Sequence, residues 1–100
     1  MIKDGRAEWH MVKIAVYMPE NFDSILLNFA FELGEEITII SNDCSKIKNE
    51  LTCIDNISEK DLKNFEIFVL KDNSVFVMDM KFYDIKQILN KLKIKMLVIH

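Results

Sequence analysis

The sequence predicts an α/β domain with a mixed or mostly parallel sheet of about five strands and flanking helices. Three segments carry that expectation. Val12–Met18 and Ile94–Ile99 are short runs that are apolar on both faces, the pattern of strands covered from both sides. Phe82–Leu92 places Ile85, Ile88, Leu89 and Leu92 on one stripe, with Lys86, Asn90 and Lys91 turned to water, which is the pattern of an amphipathic helix. Strands alternating with helices imply parallel pairing through right-handed crossovers.

In Val12–Met18, the side chains of Val12, Ile14, Val16 and Met18 share one face, and Ala15 and Tyr17 share the other. Pro19 ends the strand because it has no N–H for a ladder. Asn21–Leu33 has two readings. Phe22, Leu26, Phe29 and Leu33 recur at helical spacing, with Asn21 or Asp23 as N-cap and Gly34 as C-cap. The same residues also read as a strand, Ile25–Leu33, turning through Gly34–Glu36 into Ile37–Ile40 as a hairpin. Periodicity does not separate them.

Ile37–Ile40 is a strand in both readings, and Ser41–Asn42–Asp43 is a turn cluster. Cys44–Leu51 reads as a short helix or an irregular excursion. Ser58 with Asp61 forms a capping pattern ahead of a short helix, Glu59–Asn64. Phe65–Leu70 is a strong apolar strand, Lys71–Ser74 a polar turn, and Val75–Met78 a brief further strand. Residues 11–100 thus form one domain, and Met1–His10, polar and aperiodic, reads as a flexible extension.

Half of the residues are hydrophobic, enough for a core and too many for a disordered chain. The net charge of −3 argues against general nucleic-acid binding. Lysines 81, 86, 91, 93 and 95 near the end read as a solvated face, or as a weak basic patch for an anionic partner. No run approaches the ~20 apolar residues that span a bilayer. Two cysteines are too few for a disulfide scaffold. The sequence is that of a cytoplasmic protein with no membrane attachment, its cysteines inert thiols in a reducing compartment.

Catalytic and metal signatures are sparse. Cys44 and Cys53 lack the roughly two-to-four-residue spacing of a zinc knuckle, and His10 and His100 stand near the chain ends. No nucleophile–base motif is present, so an enzyme is not expected. Gly5 and Gly34 do not form a phosphate-binding loop after a strand. Met18, Met78, Met80 and Met96 read as core rather than metal ligands. The best ligand position is the loop leaving the first strand, since open α/β sheets bind at the carboxyl ends of strands. It offers Asn21, Phe22, Asp23 and Ser24. A second polar cluster, Asp72–Asn73–Ser74, follows Phe65–Leu70.

The opening M-V-K-I-A-V, the loop Pro19-Glu20-Asn21-Phe22-Asp23, the aromatic-rich stretch turning at Gly34 and the closing I-K-M-L-V-I resemble the dinitrogenase iron–molybdenum cofactor biosynthesis family. The resemblance implies a small RNase H-like domain, favours the hairpin over Ile25–Ile40, and implies a non-catalytic carrier of an iron–sulfur or iron–molybdenum cluster precursor. That family commonly has a Pro-His-Phe-Gly-type loop after its first strand. Here Phe22 matches, but Asn21 stands at the histidine and Asp23 at the glycine. Lys71-Asp72-Asn73-Ser74 replaces a glycine-rich turn.

Two functions follow as expectations. One is a non-enzymatic binding or carrier protein for metal-cofactor assembly. The other is a flavodoxin- or Rossmann-like module that binds a protein partner or forms a homo-oligomer, without a cofactor.

Overall fold

The computed structural model describes residues 12–19, 21–47, 51–55, 57–72 and 80–99. Its elements are β1 (Lys13–Tyr17), α1 (Ser24–Leu33), β2 (Glu36–Ile40), a 3₁₀ turn (Cys44–Lys46), β3 (Cys53–Ile54), α2 (Glu59–Leu62), β4 (Ile67–Lys71), α3 (Met80–Leu92) and β5 (Lys95–Ile99). The expectations for Met1–His10 and Val75–Met78 lie outside the described residues.

The five strands form one sheet in the order β3-β2-β1-β4-β5, and every pair is parallel. This is the order of the first five strands of a doubly wound sheet. The hairpin reading of Ile25–Ile40 is therefore overturned. The segment is helix α1, and β2 runs parallel to β1, with Ile14 beside Ile37 and Tyr17 beside Ile40. Burial decided the ambiguity: a helix puts Leu26, Leu27 and Ala30 together against the sheet.

Local chemistry fixes the ends of α1. Asp23 is the N-cap, its carboxylate accepting from the Leu26 N–H at 3.0 Å. At the other end, the Gly34 N–H donates to the Ala30 carbonyl at 3.2 Å. Gly34 is needed for space, not for a left-handed turn. Its φ is −167°, and a Cβ there would stand 2.7 Å from the Val12 carbonyl oxygen.

Of Cys44–Leu51, read as a short helix or an irregular excursion, Cys44–Lys46 forms a 3₁₀ turn and residues 48–50 lie outside the described residues; β3 is an element the sequence reading missed. Ser58 and Asp61 do form a reciprocal capping box on α2. The strand expected at Phe65–Leu70 starts later, at Ile67. Helix α3 ends at Leu92 and is followed by Lys93, whose φ of 59° is left-handed, while the Ile94 N–H donates to the Leu89 carbonyl at 3.0 Å.

The core has two layers, as the alternation in β1 predicts. Ile14, Val16 and Met18 meet Leu26, Leu27 and Ala30 of α1, with Ile39 and Val69. Ala15 and Tyr17 meet Leu62 of α2, Phe82, Ile85 and Leu89 of α3, and Phe68 of β4. The Tyr17 ring stacks on Phe82 at 5.3 Å between centroids. The chain leaves β1 and β4 in opposite directions along the sheet, with α1 and α3 on opposite faces. Both crossovers therefore have the same hand, as the rule for parallel strands requires.

Candidate functional site

β1 and β4 are neighbours at the centre of the sheet, and their connections depart to opposite sides. That is a topological switch point, the place where open α/β sheets bind their ligands. The sequence-predicted loop lies on its β1 side. The backbone first stays tied to β2. The Met18 N–H donates to the Ile40 carbonyl at 2.8 Å, and the Asn42 N–H to the Pro19 carbonyl at 3.0 Å.

The four candidate residues then divide. Phe22 turns inward and packs on the α1-side core. Asn21 and Ser24 are exposed. Asp23 takes the central position. Its N–H donates to the Met18 sulfur at 3.4 Å, and its Oδ1 caps α1. Its Oδ2 pairs with the Lys71 Nζ at 2.7 Å.

Lys71 is the last residue of β4, so this ion pair bridges the two strands that make the switch point. Sequence reading assigned Lys71 to a polar turn and missed it as a site residue. The available signal was its place immediately after the apolar run Ile67–Leu70. Of the second polar cluster, Asp72 is described, and Asn73 and Ser74 lie outside the described residues.

Burial is the largest single influence on the Asp23 carboxyl and pushes its pKa up. The Lys71 hydrogen bond and charge, with the N–H groups of Leu26 and Ile25, together outweigh burial and hold the group below the ordinary aspartate value. The pair is partly solvated, with side-chain exposures of 36% for Lys71 and 23% for Asp23. Part of each side chain is therefore in contact with solvent.

The neighbouring loop after β2 is closed on itself. Ser41 is buried at the end of β2, and its Oγ accepts from the Asp43 N–H at 3.3 Å. The Asp43 carboxylate accepts from the Ser45 N–H and hydroxyl. Beyond it, Cys44 and Cys53 form a disulfide across a Cα separation of 5.8 Å. This corrects the expectation of inert thiols, and cysteine usage no longer argues for a reducing compartment. The spacing of the cysteines in sequence concealed the pair. The β2–β3 register, with Cys53 beside Ile39, brings them together.

Among the described residues, no three His, Cys, Asp or Glu side chains gather as a metal site. His10 and His100 lie outside the described residues. No helix among the described residues is long and apolar enough to cross a membrane. Lys86, Lys93 and Lys95 are exposed, and Lys91 pairs with Glu59 at 2.9 Å, the arrangement of a solvated face. Met18 is core, as expected. No family model, no characterised protein and no solved structure matches the chain.

Proposed function

We propose that the chain is a non-enzymatic binding domain that takes a small polar ligand with an anionic group into the crevice between the ends of β1 and β4. One observation carries this reading: the Asp23–Lys71 ion pair spans the switch point and is partly open to water. An anionic group on the ligand would compete with Asp23 for the Lys71 ammonium, and the capped end of α1 would remain intact.

The resemblance to the cofactor biosynthesis family would make the cargo an iron–sulfur or iron–molybdenum precursor. The residues at this site do not fit such a group. Both cysteines are consumed in a disulfide away from the loop, and the loop itself offers hard oxygen donors where a cluster needs soft ones. Helix α1 also occupies the segment where that family has a strand.

An ¹H–¹⁵N NMR titration with inorganic phosphate and with acetate tests the proposal. Amide shifts should centre on Met18, Asp23 and Lys71 and vanish in Lys71→Met. Shifts spread over Lys86 and Lys93, and unchanged in Lys71→Met, would overturn it.

A second reading, an interaction or oligomerisation module without a cofactor, is favoured by apolar side chains left at the surface. On α1, Ile25 is 70% and Phe31 51% exposed. A strict monomer in size exclusion with light scattering would remove its self-association form.

A further inference from the structure

β5 is an edge strand among the described residues, and all of it is paired on its other side, from Ile67↔Lys95 to Lys71↔Ile99. The Lys95 N–H donates towards β4, to the Glu66 carbonyl. Backbone groups alternate in direction along a strand. Lys95, Leu97 and Ile99 therefore face β4, and the N–H and C=O groups of Met96 and Val98 face outward.

The side chains at this edge are apolar on both faces. Leu97 and Ile99 pack on the α1-side core, and Met96 and Val98 on the α3-side core. All four are only half-buried, whereas Phe68, Val69 and Leu70 of the adjoining β4 are fully buried. Within the strand itself the usual edge protections are lacking: it holds no proline, and its one charge, Lys95, stands at its first position.

We propose that this edge pairs with the β5 of a second copy of the chain, antiparallel, about a two-fold axis at Leu97. The proposal deepens the interaction-module reading and rests on it. The occupant is chosen by register. Met96 and Val98 lie symmetrically about Leu97, so a two-fold copy sets Met96 against Val98 of the other chain on both sides of the axis. That arrangement satisfies four outward backbone groups on each strand. It also keeps α1-side residues against α1-side residues, and α3-side against α3-side, so both half-open cores continue across the junction.

The only mismatch is Lys95 against Ile99, where the long aliphatic stem of lysine lies along the apolar neighbour. The two Lys95 positions are four residues apart along the ladder, roughly 13 Å. This exceeds the screening length of about 8 Å at physiological salt, so their repulsion is small. The opposite edge cannot serve the same purpose, because β3 has two residues.

Sedimentation velocity on the full chain, over a wide range of concentrations, should show a dimer that Leu97→Lys returns to monomer while circular dichroism stays unchanged. Leu97→Cys should cross-link to itself under mild oxidation, because Leu97 meets its own copy as a close, non-hydrogen-bonded pair. Met96→Cys should not cross-link to itself, since Met96 faces Val98. A dimer in which Leu97→Cys fails to cross-link, or Met96→Cys cross-links equally well, would overturn β5 pairing and leave the interaction module standing. A monomer throughout would overturn both β5 pairing and self-association. Neither result bears on the crevice.

Discussion

The two edges of this sheet are held by different means. At one edge, β3 contributes two residues, Cys53 and Ile54, tied to β2 by a short parallel ladder and to the 3₁₀ turn by a disulfide. At the other, β5 contributes five residues, paired along their whole length and packed from both faces by the core. A two-residue strand has too little ladder and too little apolar surface to hold itself, so a covalent bond does the work. The five-residue strand is held by noncovalent contacts and, among the described residues, has no neighbour on its outer side. The difference shows that edge length determines both what secures an edge and what it can offer to a partner.

Breaking the β5 side should have the largest effect. Leu89 is buried in the α3-side core, against which Met96 and Val98 pack, so Leu89→Ala should cost about 2–5 kcal/mol, read from the urea midpoint. The β3 side should respond to reduction, or to Cys44→Ser with Cys53→Ser. Releasing a loop of this length costs roughly 2–3 kcal/mol on the chain-entropy account. Hydrogen exchange should then show amide protection lost around β3 and retained on β5. Equal loss at both edges would show that the disulfide does not hold β3 selectively.

Between the edges, Ser58→Ala removes the capping box of α2, which carries the chain from β3 to β4. It should cost about 1 kcal/mol in thermal or urea denaturation. Beside β5, Lys91→Ala breaks an exposed ion pair with Glu59 and should change stability by no more than about 0.5 kcal/mol.

The central ion pair adds a pH dependence. The folded pKa of Asp23 is depressed, so its contribution to stability is present above the unfolded value of about 4 and is lost as pH falls through the folded value. Asp23→Asn should flatten the acid limb of a urea-midpoint profile in that window and leave the slope near neutrality unchanged.

Much of the fold was legible in the sequence because periodicity reports burial. The two faces of Val12–Met18 separate into the two core layers, and Ile85, Ile88, Leu89 and Leu92 line α3 as their spacing requires. Asn21–Leu33 was not legible. Its apolar residues satisfy a helix and a strand equally well, and only packing of Leu26, Leu27 and Ala30 on β1 separates the two. β3 escaped because a two-residue strand has no period. The disulfide escaped because it depends on the register of β2 with β3, a nonlocal property. At the site, Asp23 could be found from its position after β1. Lys71 could not be matched to it, because that pairing depends on β1 and β4 being neighbours, with Ile14 beside Ile67.

That all-parallel register also governs how the chain reaches its structure. Among the described residues no pair of neighbouring strands is joined by a tight turn, so this sheet has no hairpin to form early and template the rest. β1, at the centre, must wait for Ile67–Val69 to arrive from far along the chain. Every ladder requires a crossover to close before any pairing repays it, which places the folding of this small chain with slow, nonlocal topologies despite its length. During that wait the apolar stretches Ile14–Met18 and Met96–Ile99 are exposed together in an unfinished molecule. Refolding yield should therefore fall as protein concentration rises, and it should fall less when synthesis or dilution keeps the chains apart.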